Sequence, residues 1–140
     1  MDDLSKARQL LEQEGYTCVL CLGNRLHTSR HRGVRPLMEL LDQDVSGFSA
    51  ADKVVGKATA LLYCLLQIKC LWAGVISDAA LAVLDAHSIP VQWETCVPQI
   101  QNRQGTGRCP MEQATEHIRD PKDAPEAIRK KLEELQKQSL

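Results

Sequence analysis

The chain has 140 residues, 17 of them basic and 18 acidic, and a formal net charge of −1. That length suits one compact domain with a sizeable core. Near-neutral, interspersed charge offers no field to draw nucleic acid or an anionic membrane surface. The opening "MDDLSKARQLLEQEG" is charged from its second residue, and no stretch approaches the ~20 uninterrupted apolar residues of a membrane span. The reading is a cytoplasmic protein of one domain over 1–140, with neither nucleic acid nor membrane as partner.

In chain order, Leu4, Ala7, Leu10 and Leu11 share one helical face, and Gly15 stands where such a helix ends. "YTCVLCL" reads as a buried strand, "GNR" as a tight turn, and "LHTSRHR" as a polar strand of the kind found at a sheet edge, so the three make a hairpin. Pro36 followed by "LMELL" opens a short helix, and "DQDVSGFS" is a polar loop. "SAADKVVGKATALLYCLLQI" is expected to be one long helix, with Ser49 and Asp52 in the capping-box relation at its start. "KCLWAGVIS" is then a central strand, "DAALAVLDAHS" a helix and "IPVQWE" another strand. A helix from about Pro110, a break at "RDPKDAP" and a charged helix over about 124–138 complete the chain. Alternating strands and helices imply parallel pairing with right-handed crossovers. The expected fold is a three-layer α/β/α sandwich whose mixed sheet begins with an N-terminal hairpin, its core spanning about 16–120.

Six cysteines without a mark of export read as reduced thiols, and Cys18, Cys21, Cys64 and Cys70 lie in apolar segments. Cys18 and Cys21 have zinc-knuckle spacing, but residues three apart in a strand face opposite sides of the sheet. His27 and His31 flank an edge strand with Arg30 and Arg32, which reads as a solvated basic patch. His87 and His117 lie near helix ends, and none of the four forms a zinc cluster with the cysteines.

In open α/β sheets ligands sit beyond the carboxyl ends of the parallel strands, beside helix N-termini. That rule selects Ser77 and Asp78 after the central strand, with Ser49, Asp52 and Lys53 at the expected start of the long helix. The stretch "NRQGTGRCPMEQ" would fold over them, bringing Asn102, Arg103 and Cys109. Lys57 lies one turn beyond Lys53 on the same expected helix face, and Gly56 beside them makes room for a ligand or a neighbouring strand. Cys109, Pro110, Met111 and Glu112 fit N-cap, N1, N2 and N3, so Glu112 would reach back to its own helix. A helix dipole favours negative charge on a thiol at its N-terminus, the environment of reactive cysteines. Gly105 and Gly107, in the preceding "GTG", can turn backbone amides toward an anion.

The order hairpin, long helix, strand, helix, strand resembles the cytidine deaminase superfamily. "ADKVVGKATALLY", "GVIS" and "NRQGTGRCPMEQA" are together similar to a bacterial family of that superfamily whose function is not established, over roughly residues 16–120. Zinc deaminases place His-x-Glu at the start of the long helix and Pro-Cys-x-x-Cys at the start of the next. Here the corresponding stretches read Ala51, Asp52, Lys53, Val54 and Ser77, Asp78, Ala79, Ala80, Leu81, without that donor set. The resemblance therefore implies the scaffold with no metal or other cofactor. Its expected role is binding a nucleoside, nucleotide or related small molecule, and acting on it without zinc through Asp52, Lys53 and Cys109. Ligand contacts would come from Lys57, Ser77, Asp78, Asn102, Arg103, Gly105, Gly107 and Glu112. Two other readings stand beside it: thiol or sulfur-transfer chemistry at Cys109, and a non-catalytic ligand-binding or interaction module. Deaminase-like relatives commonly associate, so a homodimer is expected by analogy.

Overall fold

A computed structural model describes residues 1–102 and 104–138. The described elements are α1 (Asp3–Glu14), β1 (Cys18–Leu22), β2 (Arg25–Ser29), α2 (Arg35–Glu39), β3 (Ser49–Val55), α3 (Lys57–Leu66), β4 (Cys70–Ser77), α4 (Asp78–Ala86), β5 (Val91–Val97), α5 (Pro110–Ala114) and α6 (Ala124–Gln138), with a single 3₁₀ turn over Pro121–Asp123. The five strands form one mixed sheet in the order β2-β1-β3-β4-β5. β1 is antiparallel to both β2 and β3, whereas β3, β4 and β5 are parallel. Helices lie on both faces, giving the expected three-layer α/β/α architecture.

The two faces differ in depth. On one, α1 alone buries Ala7 and Leu11 against Val19, Cys21, Ala51 and Trp72. On the other, α2, α3, α4 and α6 enclose the larger core, which includes Cys18, Leu20, Leu37, Leu61, Tyr63, Leu71, Ile76, Leu84 and Ile128. Cys18 and Cys21 thus fall on opposite sides of β1, as period-two alternation requires. Asp2 caps α1 by accepting from the Ser5 amide at 2.7 Å, and Gly15 ends it in the left-handed region. The polar strand β2 does lie at a sheet edge. No helix among the described residues is long and apolar enough to cross a membrane.

The segment from Ser49 corrects the sequence reading. Residues 49–55 form a strand, and the helix starts only at Lys57, with Gly56 as its N-cap. Ser49 and Asp52 therefore form no capping box. The Ser49 hydroxyl instead lies 3.2 Å from Cys70 Sγ, at the start of both parallel strands. Small Ala50 and Ala51 bury on opposite faces, and Gly56 separates strand from helix. Three-residue spacing imitates a cap, but long-range pairing with β1 and β4 decides the conformation. β5 likewise begins at Val91, two residues beyond Ile89.

Both central strands also change phase midway. Ala50 and Val55, five apart, share the larger core, as do Ala73 and Ile76, three apart. Regular alternation would put residues at odd separation on opposite faces. The shift falls at Lys53 in β3 and Gly74 in β4, where a Cβ on Gly74 would sit 2.7 Å from the Lys53 carbonyl oxygen. Only glycine lets the two backbones come so close.

Candidate functional site

The rim at the C-terminal ends of β3 and β4 is built differently from the sequence expectation. Gly56 gives α3 no side-chain cap. Glu112 supplies one from α5: its Oε1 accepts from the Lys57 backbone N–H, and its side chain is buried. A Cβ on Gly56 would collide with that oxygen, so glycine clears space for the carboxylate rather than for an external ligand. Glu112 thus caps α3, not its own helix, and its charge meets the positive end of the α3 dipole. The Lys57 ammonium donates to the Glu116 carbonyl at 2.8 Å, which ties α3 to the turn that follows α5. Lys53 sits in β3 and is exposed, so the two lysines share no helix face. Ser77 is fully buried and caps α4 by accepting from the Ala80 amide at 3.2 Å. Asp78 accepts from Cys96 Sγ at 3.2 Å.

The glycine loop spends its polar groups on itself. Asn102 N–H donates to the Gly107 carbonyl, Gly105 N–H donates to the Asn102 carbonyl, and Thr106 N–H donates to Asn102 Oδ1. The Gly105 and Thr106 amides are therefore engaged within the loop instead of cradling an anion. Arg103 lies outside the described residues. Cys109 is the N-cap residue of α5 but makes no side-chain capping bond, and this five-residue helix has little dipole to offer a negative group. The expected convergence of Asp52, Ser77 and Cys109 also fails. Asp52 pairs with Ala73, four residues before Ser77 along β4, or about 13 Å at ~3.3 Å per residue. Asp52 is inside the sheet, not at its rim.

Inside the sheet, Asp52 has a distinctive environment. It lies directly opposite Cys18 in the antiparallel register, so both side chains share a face. Tyr63, fully buried on α3, donates its hydroxyl hydrogen to Asp52 Oδ2 at 2.7 Å, and its oxygen lies 3.3 Å from Cys18 Sγ. With the phenol hydrogen committed to Asp52, the thiol donates to the phenol oxygen. The Val54 amide gives Asp52 Oδ1 a longer bond of 3.3 Å, at the point where β3 changes phase. Burial pushes the Asp52 carboxyl up to about 7, although the Tyr63 and backbone hydrogen bonds oppose the shift. Burial and the neighbouring Asp52 push the Cys18 thiol far above its ordinary range, and Tyr63 moves upward mainly through burial. Cys18 is thus a protonated thiol, not a ready nucleophile.

Cys18 also reaches the floor of a cleft of about 400 Å³ between the β1–β2 hairpin and α2. Tyr16, His27, Ser29, Arg30, His31 and Glu39 line its walls. The Arg30 guanidinium stacks 4.3 Å from the Tyr16 ring centre, while its Nη2 donates to the Glu14 carbonyl at 3.0 Å. His27 packs against Phe48 with ring centres 5.6 Å apart. Glu39 is held by Arg35 at 3.1 Å, which offsets the one carboxylate of the wall. The cleft therefore combines cationic or titratable nitrogen donors with flat side chains, over a floor connected to a buried carboxyl.

Sequence reasoning treated His27, His31 and Arg30 as a solvated patch, read Cys18 as a reduced core thiol, and did not single out Tyr63. The available signal was Asp52 itself, a carboxylate in an otherwise apolar segment, which needs partners if buried. Among the described residues no group of three or more His, Cys, Asp or Glu side chains is placed to hold a metal ion.

Comparison with known proteins supports the fold and names the family. A crystal structure of a DUF1893 family protein (TM1506) from Thermotoga maritima superposes with a TM-score of 0.85 at 23% sequence identity, covering 92% of this chain and 89% of that one. No curated protein matches the chain. The family model TM1506, described as a domain of unknown function (DUF1893), matches residues 6–132. The chain belongs to this DUF1893 family.

Proposed function

We propose that the protein binds a small anionic metabolite of the nucleoside-phosphate class in the cleft between the hairpin and α2. The observation that carries this reading is the cleft's composition: Arg30, His27 and His31 surround a floor where Cys18 leads to Tyr63 and Asp52. Arg30 is positioned by Tyr16 and the Glu14 carbonyl and presents donors suited to phosphate or carboxylate oxygens. The Tyr16–Arg30 stack, and the His27 ring held against buried Phe48, are planar groups on which a base can pack. The nucleoside part of the reading comes from the deaminase resemblance of the sequence blocks, as an analogy of scaffold. The rim offers less, because Glu112 occupies the α3 N-terminus and Asn102 occupies the loop amides. A reading based on Cys109 chemistry has no comparable observation behind it.

A thermal-shift series with nucleosides, nucleoside monophosphates and sugar phosphates tests the proposal. Nucleoside phosphates are expected to raise the melting temperature with concentration, by mass action. The rise should vanish in Arg30→Ala and persist in Lys53→Ala. Shifts that survive Arg30→Ala, or no shift with any phosphorylated compound, would overturn the assignment.

A further inference from the structure

The buried carboxyl beneath the cleft has only neutral donors. Asp52 receives hydrogen bonds from the Tyr63 hydroxyl and the Val54 amide, and among the described residues no basic side chain pairs with it. Lys53 is adjacent in sequence but exposed. β1 contributes Cys18 and β4 contributes Ala73 in register, while α3 contributes Tyr63. Beyond Cys18 the titratable or charged groups of the cleft are Tyr16, His27, Arg30 and His31 on the hairpin side and Glu39 from α2. An anion resting on Cys18 would stand two hydrogen bonds from Asp52, with links of 3.3 and 2.7 Å between them.

We propose that the cleft takes up an anion together with one proton, and that Asp52, connected through Tyr63 and Cys18, is where the proton resides. This rests on the cleft being the binding site and adds its regulation. The physical cause is repulsion between two negative charges in one desolvated region, which is relieved when the carboxyl is neutral. Solvent supplies the proton, and no bond in the ligand is made or broken. Asp52, pushed up to about 7 by burial, is already balanced between its two forms near neutrality, so a modest added field changes its occupancy. The consequence is a site that holds anions more tightly under acid conditions. The histidines provide a competing place for the proton, and the test must separate them from Asp52.

Sulfate is the suitable probe because it stays a dianion between pH 6 and 9. Titration calorimetry at pH 7.5, in two buffers of different ionisation enthalpy, should show net proton uptake on sulfate binding to the unmodified protein. Affinity should fall as pH rises, by at most about tenfold per pH unit for one linked proton. Infrared difference spectra should show a protonated-carboxyl band growing with sulfate. In Asp52→Asn the uptake and the band should disappear, whereas the His27→Gln/His31→Gln double variant, at saturating sulfate, should keep both. Uptake unchanged in Asp52→Asn, or lost in the histidine variant, would overturn the proposal. So would the lack of a carboxyl band in the unmodified protein, a result that needs no variant to fold. Sulfate binding without proton uptake would remove the coupling and leave the cleft assignment standing. No sulfate binding at pH 6 would remove the cleft as an anion site and the coupling with it.

Discussion

Two buried carboxylates contact α3, one at its N-terminus and one along its length, and their surroundings are opposite in kind. Glu112 meets the amide end of the helix, a fixed positive counterpart that forms on folding. Asp52 meets a phenol and a distant amide, which satisfy its oxygens without balancing its charge. The first arrangement is a fastening between α5 and α3. The second is a group whose protonation answers to pH and to its neighbours. Hydrogen-bond counts alone would make the two similar; the sign and permanence of the partner charge distinguish them.

The fastening is the easier of the two to break. In Gly56→Ala the new Cβ collides with Glu112 and comes within 3.3 Å of Ile100 Cγ1, so the cap is lost and the local packing strained. Denaturant unfolding should show about 3 kcal/mol of destabilisation, combining overpacking with cap loss. Glu112→Ala, which leaves the Lys57 amide without its acceptor, should cost about 2 kcal/mol, and Glu112→Gln less than half of that, since an oxygen acceptor remains. Equal losses in the two Glu112 variants would show that charge, not hydrogen bonding, holds the junction.

Asp52 calls for a measurement against pH. Its folded-state value lies above the ordinary carboxyl value of 3.8, so the folded chain holds the proton more tightly than the unfolded one. Its stabilising contribution is complete below about pH 4, declines from there to about 7, and is exhausted above 7. Asp52→Asn keeps the shape without the titration. The stability of the variant relative to the unmodified protein should therefore rise by about 1.4 kcal/mol per pH unit between pH 4 and 7 and level off beyond. A difference that stays flat across this range would remove the distinction drawn between the two carboxylates. The smallest effect belongs to Cys109→Ser: the side chain makes no capping bond, and the substitution should change unfolding free energy by under ~0.5 kcal/mol.

The elements that sequence patterns revealed are those with strong local signals. α1 ends at Gly15, β1 carries an unbroken apolar run beside a tight turn, and α4 begins at a serine cap. β3 escaped because "SAAD" carries no strong strand signal and mimics a helix start, while its partners β1 and β4 lie far off in sequence. The rim failed with it: once Asp52 moved into a strand, it could no longer stand beside Ser77. The candidate cleft was less legible still. Its residues come from the hairpin and α2, and the Cys18–Tyr63 contact spans 45 positions. Such contacts follow from tertiary packing and leave no trace in spacing. Glu112 was recognised as a capping residue, but the helix it caps lies 55 positions earlier.

The shared phase change of β3 and β4 makes the two strands evolutionary and engineering partners. Removing one residue near Lys53 alone would leave Val55 four positions from Ala50, in regular alternation, beside a β4 that keeps its own phase change, and the same deletion at Gly74 alone would mismatch Ile76 against β3. Simultaneous deletion would instead preserve their mutual alignment and keep the same residues facing α3. Length variation in this region is therefore constrained as a matched pair, and a loop-style insertion on either side would be read by the whole layer above it.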